Sequence, residues 1–244
     1  MNHDSIVPLY LQLAERLQKQ IEAGTYPVGT RLPSERELSE QNDVSRMTAR
    51  QALQVLVQRG LAEPRVGKGT YVSTPKIDQE LVKLTSFSDE MRRLGMQPSS
   101  RVLTSRLEAA NPKVAEQLQI PAGSEVVVLV RTRLAAGVPL ALERSYLNHE
   151  LCPGVLEGHD FGRESLYTVL RNQYGILLTW ATQVIEARLP TPAERHSLEI
   201  DQHDPVLSLT RVTFYENDHP VEYVTSVYCG SRYKFKAILR GAAT

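Results

Sequence analysis

Two short helices in tandem, followed by a basic hairpin with glycines at its tip, are predicted within residues 31–72, and this order constrains the fold most. Ser34 followed three residues later by Glu37 is a capping box, so a helix is predicted to begin there and to end near Gln41. Ser45 is a good N-cap for a second helix, which Gly60 is placed to end. This spacing is typical of a helix-turn-helix.

The second helix has one apolar face and one cationic face. Its small and apolar side chains recur at helical spacing and predict a buried face: Ala49, Ala52, Leu53 and Leu56. Arg46, Arg50 and Gln54 stand four residues apart on another face. A recognition helix in the major groove needs this division, because its outer side chains contact bases and phosphates while its back packs on the domain.

The hairpin predicted over residues 61–72 turns at Gly67, Lys68 and Gly69, where glycines permit a tight turn close to a partner. Lys68 at the tip is a candidate for insertion into a minor groove. Any surface helix can carry two arginines and any hairpin a lysine, so neither element alone decides its role. The formal net charge is zero, but cations predominate over residues 44–72, and the combination favours DNA binding.

The quoted segments LPSERELSE, VSRMTARQAL, LVQRGL and GKGTYV resemble the winged helix-turn-helix of GntR-type bacterial transcription regulators. The resemblance implies an N-terminal DNA-binding domain over residues 1–73, with an amphipathic helix before Gly24 closing its core. It also implies contacts to double-stranded operator DNA from these residues: Arg36, Ser45, Arg46, Thr48, Arg50, Gly67, Lys68 and Gly69.

A chain of 244 residues allows two modest domains. Polar residues and a proline after the hairpin predict a linker over residues 74–84, followed by a second domain over residues 85–244. Six strand-like runs with helices between some of them predict an α+β domain with a mixed, mainly antiparallel sheet. Two hairpins, beginning RTRLAAG and RVTFYEN, are loosely alike, which predicts pseudo-symmetric halves unless the likeness is chance.

Arg131 and Arg133 end a nearly continuous apolar strand, and a period of two places both guanidinium groups on one face. Such a pair offers several donors to one multivalent anion such as phosphate. The alternative is that both arginines pair with Glu143 on the next strand, and the local pattern does not decide between the two.

Other candidate polar groups in the second domain have similar alternatives. Residues 86–89 are predicted to begin a helix, as are Ser165 and Tyr167, and helix N-termini favour anions. Glu222 and Tyr228 share one face of the last long strand. Capping or packing alone is the alternative for each of these groups, and for residues 86–89 simple capping is the favoured one.

The segments SFSDEMRRLG, VRTRLAAGVPLALERSYL, ESLY and PVEYVTSVYCGSRYKF resemble the sensor domain of the HutC branch of GntR regulators, and are most similar to regulators of N-acetylglucosamine use. That resemblance implies a chorismate-lyase-like fold and a small-molecule effector, a phosphorylated sugar or amino sugar. It assigns the phosphate to one set of residues, Ser86, Phe87, Ser88, Arg131, Arg133, Ser165 and Tyr167, and the sugar to another, Glu143, Glu222 and Tyr228.

A homodimer is expected, because two recognition helices must reach half-sites about one turn apart. Cys152 and Cys229 lie far apart with no CxxC spacing, so neither a zinc site nor a disulfide framework is expected. No other metal and no cofactor are expected. The sequence predicts no membrane segment and a cytoplasmic location. Three alternatives remain: a regulator that senses a non-sugar metabolite, a sugar-phosphate enzyme with a DNA-binding appendage, and an architectural DNA-binding protein without an effector. No nucleophile–base pair or nucleotide loop supports the enzyme.

Overall fold

The computed structural model describes residues 7–65, 67–73 and 76–239, and the chain divides into two compact units between Lys76 and Ile77. Each unit has its own hydrophobic core. No helix in these described ranges is long and apolar enough to cross a bilayer.

The N-terminal unit contains three helices and a two-stranded hairpin. Its elements are α1 (Leu9–Glu22), α2 (Glu35–Asn42), α3 (Arg46–Gln58), β1 (Ala62–Arg65) and β2 (Gly69–Val72). Both predicted caps are confirmed: Ser34 and Glu37 form the reciprocal capping box, and Ser45 accepts a hydrogen bond from the Thr48 N–H at 3.0 Å. Gly60, with a φ of 70°, follows the end of α3, as predicted.

Apolar faces of all three helices meet in the core of this unit. Its buried members include Leu13, Leu17, Leu32, Leu38, Ala49, Ala52, Leu53, Leu56 and Val72. Burial of each leucine stabilises the unit by about 1.5–3 kcal/mol. The hairpin is bonded through the main chain to the segment between α1 and α2, since Leu32 donates to the Thr70 carbonyl at 2.8 Å and Val72 donates to the Thr30 carbonyl at 2.8 Å.

The strands of the C-terminal unit are β3 (Ile77–Glu80), β4 (Pro98–Ala109), β5 (Glu125–Ala135), β6 (Val138–Asn148), β7 (Trp180–Arg188), β8 (Val206–Tyr215), β9 (His219–Cys229) and β10 (Tyr233–Lys236). Six of them form an antiparallel sheet with the order β4-β5-β6-β9-β8-β7, and β3 pairs separately with β10. Its helices are α4 (Phe87–Arg93), α5 (Pro112–Leu118), α6 (Leu166–Tyr174) and α7 (Pro192–Leu198). The predicted α+β class is confirmed.

The sheet has two similar halves that meet between β6 and β9. The first half runs β4-α5-β5-β6 and the second runs β7-α7-β8-β9, so the strand order reads the same from either edge. Both crossing helices begin at a capping residue followed by proline, Asn111 and Thr191, and both end at a residue with left-handed backbone. The pseudo-symmetric halves predicted from the two hairpins are therefore present.

The linker expected over residues 74–84 is corrected in part by the structure. Ile77–Glu80 forms β3, which pairs in parallel with β10, so this segment belongs to the C-terminal unit. Ile77 and Gln79 are buried while Asp78 and Glu80 are half-buried, as in a strand with one covered face. Residues 74 and 75, also within the expected linker, lie outside the described residues.

Candidate DNA-binding surface and effector cavity

The outer face of α3 presents the cationic side chains that the sequence predicted. Arg46 and Arg50 are exposed, on the side opposite the buried Ala49 and Leu53. The nearest carboxylate to Arg50 is that of Glu35, with Nε and Oε1 3.9 Å apart. An exposed pair at that distance contributes less than about 1 kcal/mol, so the guanidinium is available to a phosphate or a base.

The start of α3 is fixed by its cap. The hydroxyls of Ser45 and Thr48 lie 2.8 Å apart, in addition to the main-chain bond between these residues. Arg36, on the exposed side of α2, has its Nη1 3.8 Å from Oε1 of Glu40. The predicted DNA contacts on α2 and α3 thus belong to two consecutive helices, each capped at its N-terminus.

The tip of the hairpin is exposed at Gly67, Lys68 and Gly69. The Lys68 N–H donates to the Arg65 carbonyl at 2.9 Å and closes the turn, while Gly67 and Gly69 have φ of 70° and 103°. A Cβ on Gly69 would lie 2.9 Å from Nε of Arg31. Arg31 therefore lies beside the tip and adds a cation that the sequence pattern did not identify, because it precedes both predicted helices.

A polar cavity lies on one face of the sheet at the junction of its two halves. The first turns of α4 and α6 cover it, and its lining comes from both halves of the sheet and from β3. The lining residues are Gln79, Thr85, Ser86, Phe87, Arg131, Arg133, Glu143, Ser165, Leu166, Tyr167, Leu209, Arg211, Glu222, Val224, Ser226 and Tyr228. Nine of the ten predicted effector-binding residues are among them; the tenth, Ser88, lies behind Arg133.

Arg131 and Arg133 both bond one oxygen of Glu143. The distances from Oε1 are 2.6 Å to Nη2 of Arg131 and 3.0 Å to Nη1 of Arg133. Burial raises the pKa of Glu143, but Arg133 and Arg131 outweigh that effect and lower it to about 2. Burial and Arg133 lower the pKa of Arg131 to about 10, so it is still charged at neutral pH. Two cations thus face one anion.

Both arginines also carry buried donors without a partner among the described residues. These are Nε and Nη1 of Arg131 and Nε of Arg133. A buried unpaired donor costs about 1–3 kcal/mol, and more in a charged group. Nη2 of Arg133 donates to the Ser88 hydroxyl at 3.1 Å, and its guanidinium lies 4.6 Å from the centre of the Phe87 ring. Positive charge and unused donors therefore concentrate at this end.

Glu222 and Tyr167 meet at one end of the cavity, whereas Tyr228, six residues after Glu222 on β9, lies in the same row of the sheet as Arg133, across Ala141. The Tyr167 hydroxyl donates to Oε2 of Glu222 at 2.8 Å. Burial and the charge of Glu143 raise the pKa of Glu222 and raise that of Tyr228 to about 12. The Tyr167 hydroxyl thus lies with Glu222 rather than with Arg131 and Arg133, although the resemblance placed this residue at the phosphate end.

Ser86 and Ser165 begin the two covering helices. Ser86 accepts from the Asp89 N–H at 3.0 Å, Ser165 accepts from the Thr168 N–H at 3.4 Å, and the two hydroxyls lie 3.4 Å apart. Capping, the alternative for both serines, is therefore present in the structure. Both serines also line the cavity, together with Arg131 and Arg133.

Arg211 is a third cavity arginine, which the sequence interpretation missed. Its Nε donates to Oε1 of Gln183 at 2.8 Å. Arg211 on β8 is the counterpart of Arg131 on β5, since each lies two residues before the irregularity in its own hairpin, after Arg133 and after Thr213. The likeness between the RTRLAAG and RVTFYEN segments, which aligns Arg211 with Arg131, is the signal that could have identified it.

The cavity is nearly closed. Its volume is about 30 Å³, room for one or two waters. Two further cavities have volumes of about 260 and 220 Å³. The first shares Gln79 and Arg211 with the polar cavity, and the second shares Ser86 and Tyr167 with it. The segment over residues 80–86 contributes to the lining of all three cavities.

Two known protein families match the chain, one in each of its two units. Residues 9–72 match the model for bacterial regulatory proteins of the gntR family, and residues 93–234 match the UTRA domain. The chain belongs to the gntR family and carries a UTRA domain. It is a DNA-binding transcriptional regulator, which confirms the family and the function inferred from the sequence.

Individual members of the gntR family match over almost the whole chain. The HTH-type transcriptional repressor NagR of Bacillus subtilis (strain 168) is 38% identical over 235 residues, 96% of each chain. A histidine utilization repressor of Pseudomonas putida is 33% identical over 94% of this chain and 91% of its own. The crystal structure of PhnF from Mycobacterium smegmatis superposes with a TM-score of 0.71 at 30% identity, covering 94% of this chain and 100% of PhnF.

Proposed function

We propose that this regulator is a repressor whose operator binding is relieved by a small phosphorylated sugar or amino sugar, such as glucosamine-6-phosphate or N-acetylglucosamine-6-phosphate. The observation that carries the effector class is the surplus of buried cationic donors on Arg131 and Arg133. A phosphate supplies several acceptor oxygens and negative charge at one point, as these donors require.

The polar groups that line the cavity suggest how the ligand is oriented. The phosphate lies against Arg131 and Arg133, with the Ser86, Ser88 and Ser165 hydroxyls near it and Phe87 behind. The sugar hydroxyls meet Glu143, Glu222 and Tyr228. Acceptor carboxylates and a phenol suit hydroxyl groups, whereas they would repel a second phosphate. The ligand is therefore a monophosphate with a polar body.

The DNA-binding residues are proposed to act as the family match suggests. Arg46, Thr48 and Arg50 contact the major groove, Arg36 and Ser45 contact phosphates, and the hairpin tip over residues 67–69 reaches the minor groove. A protein of this kind binds a palindromic operator as a homodimer.

A route from effector to linker is supported by β3. Gln79 lines the cavity and stands three residues after Lys76, where the N-terminal unit ends. The cavity is too small for a sugar phosphate, so the ligand must displace the covering segment over residues 81–86, which continues directly from β3. The effector changes operator binding only to the extent that it binds the arrangement that binds DNA and the arrangement that does not with different affinities.

The test is the thermal midpoint of the full-length protein with glucosamine-6-phosphate, N-acetylglucosamine-6-phosphate, their unphosphorylated parents, inorganic phosphate and L-histidine. We expect a rise with the phosphorylated amino sugars and none with their parents, because a ligand of the native state stabilises it. Operator affinity, measured by fluorescence anisotropy, falls in their presence. A rise with L-histidine alone would replace the sugar phosphate with a non-sugar effector.

Arg133→Ala separates effector binding from DNA binding. We expect this variant to lose the midpoint shift and keep wild-type operator affinity, while Arg163→Ala, the loss of an exposed arginine in the same unit, changes neither. Loss of operator affinity in Arg133→Ala would show that the arginine is structural.

A non-catalytic role is also part of the proposal. Glu143 is bonded to Arg131 and Arg133, and Glu222 accepts a hydrogen bond from the Tyr167 hydroxyl. Neither carboxylate is therefore free to take a proton from a bound ligand. Phosphorus NMR of a stoichiometric complex with N-acetylglucosamine-6-phosphate is expected to show the same ester signal after a day. Conversion of the ester would support an enzyme.

A further inference from the structure

A larger cavity, which we call the adjoining cavity, lies beside the polar cavity. Its volume is about 260 Å³, against about 30 Å³ for the polar cavity. Gln79 and Arg211 line both cavities, so these two side chains separate them. The remaining lining comes from residues 80–84, residues 179–181 and Gln183. A group that passes Gln79 and Arg211 therefore reaches space that the polar cavity lacks.

The two cavities follow one another across the strands of the sheet. Arg131 lies on β5, Arg211 on β8 and Gln183 on β7, and the strand order from β5 is β5-β6-β9-β8-β7. Arg131 and Arg211 are therefore three strand spacings apart, about 14 Å, and Gln183 is one spacing farther. A ligand whose phosphate is held by Arg131 and Arg133 reaches the adjoining cavity by extending in this direction.

Two amide groups in the lining of the adjoining cavity have engaged oxygens and unused nitrogens. Oε1 of Gln183 accepts from both Nε and Nη2 of Arg211, and a guanidinium has only donors, so the orientation of this amide is fixed. Oε1 of Gln79 accepts from the Tyr233 hydroxyl. Nε2 of each glutamine has no hydrogen-bond partner among the described residues. The adjoining cavity therefore offers donors to the oxygen atoms of a ligand.

The charge balance argues against a second acidic group on that ligand. The polar cavity is lined by three arginines and two carboxylates: Arg131, Arg133, Arg211, Glu143 and Glu222. A phosphate monoester carries about −1.5 to −2 at pH 7, which already exceeds the surplus of one positive charge. In the adjoining cavity, Lys83 is paired with Glu80 at 3.0 Å. The far end of the ligand is therefore neutral and rich in oxygen.

We propose that the adjoining cavity is a subsite for a second, uncharged sugar ring. The effector is then a phosphorylated disaccharide, whose phosphorylated ring lies in the polar cavity. Hydroxyl and acetamido oxygens of the second ring accept from Nε2 of Gln79, from Nε2 of Gln183 and from the guanidinium of Arg211. The inference rests on the proposed function and specifies the size of the effector.

Apolar side chains complete the subsite. Leu81 and Val82 line the adjoining cavity and are 40% and 68% exposed. The C–H face of a sugar ring that packs on them removes apolar surface from water. These residues follow directly on β3, so the second ring contacts the segment that leads back to the N-terminal unit.

The test compares two ligands that share one phosphorylated ring. One is N-acetylglucosamine-6-phosphate, and the other is the β-1,4-linked disaccharide of N-acetylglucosamine with its phosphate on O6 of the non-reducing ring. Isothermal titration calorimetry of the full-length protein is expected to give a dissociation constant about 10-fold lower for the disaccharide. A disaccharide that binds no more tightly than the monosaccharide would overturn the subsite and leave the proposed function standing. Binding of neither compound would reject the proposed function and the subsite with it.

Gln183→Ala removes a donor that lines the adjoining cavity and not the polar one. We expect the two ligands to bind this variant with similar dissociation constants. Gln117→Ala on α5, the loss of a glutamine outside both cavities, is the control and keeps the 10-fold preference. A preference that persists in Gln183→Ala would show that the second ring does not lie in the adjoining cavity.

Ala181→Phe tests the same subsite by filling it. Ala181 lies on β7 and lines the adjoining cavity and not the polar one. In protein with a near-normal thermal midpoint, we expect this variant to bind the monosaccharide phosphate more tightly than the disaccharide phosphate, which reverses the wild-type order. An unchanged order in folded Ala181→Phe would contradict the subsite, and Gln183→Ala decides the matter if Ala181→Phe does not fold.

Discussion

Arg131 and Glu143 lie directly opposite each other on β5 and β6, and their side chains meet at 2.6 Å within the cavity. The carboxylate is shared with Arg133, so an ion pair and an anion site coexist in one cluster. The pairing neutralises one of the two cations. The charge of the other cation is available to an anionic ligand, so the cluster both stabilises the fold and can bind an anion.

Glu143→Gln tests the structural part of this cluster. Removal of the carboxylate leaves two buried cations without an anion, and we expect the free energy of unfolding to fall by about 3–5 kcal/mol at pH 7. Because the folded pKa of Glu143 is about 2, below its usual value, its stabilisation is present above pH 4.5 and is lost only as the pH falls toward 2. Urea denaturation measures the change, with Glu116→Gln on the exposed side of α5 as the control.

Glu143→Gln also shows whether an added anion can replace the missing carboxylate, which it could not do if the variant lost stability through poor packing. We expect 20 mM inorganic phosphate to restore part of the lost stability of Glu143→Gln and to change Glu116→Gln little. Equal effects on both variants would mean that the arginines do not take up the anion.

Glu222→Gln is expected to stabilise the protein in the absence of effector. Burial raises the folded pKa of Glu222, so the folded state holds that proton more tightly than the unfolded state does. Ionisation of Glu222 above its usual pKa therefore costs stability, so the stability advantage of the variant grows as the pH rises from 4 to 8. Thermal midpoints over that range measure the gain. An advantage that is constant with pH, or one shared by the exposed Glu186→Gln, would contradict it.

Local signals in the sequence predicted most of the elements. Ser34, Glu37 and Ser45 fixed the starts of α2 and α3, because capping is a contact between residues three apart. The period of two on β5 placed Arg131 and Arg133 on one face, and it left open whether Glu143 or a ligand meets them. The structure shows the Glu143 pairing together with unused donors, which no local pattern specifies.

Long-range pairing accounts for what the sequence did not predict. β3 resembled a polar linker because its partner, β10, begins more than 150 residues later, at Tyr233. Gln79 reaches the cavity only through that pairing. The role of Arg211 follows from the internal symmetry of the sheet, and the bulge at Leu103 depends on how β4 meets β5. Each is a property of a ladder between strands.

Arg50→Ala tests the recognition helix. If the guanidinium contacts a base, we expect operator affinity to fall by about 1–3 kcal/mol, with a smaller loss for non-specific DNA. The pair with Glu35 is exposed and 3.9 Å long, so the fold is expected to be unaffected. Anisotropy titrations with operator and scrambled duplexes measure the change, and Arg163→Ala is the charge-matched control. Equal loss on both duplexes would make Arg50 a phosphate contact instead.

Gly69→Ala and Gly67→Ala together test the hairpin tip. Both glycines have positive φ, but a Cβ at Gly67 meets nothing within 4 Å, whereas one at Gly69 lies 2.9 Å from Nε of Arg31. We expect Gly67→Ala to lower the stability of the N-terminal unit by about 1 kcal/mol. Gly69, at a φ of 103°, lies farther from the left-handed region that side chains adopt, and its replacement is expected to cost about 2–3 kcal/mol. Because that replacement also displaces Arg31, operator affinity should fall more in Gly69→Ala than in Gly67→Ala, measured on protein shown by circular dichroism to be folded. Equal affinities in the two variants would show that Arg31 and the geometry at Gly69 do not contribute to DNA binding.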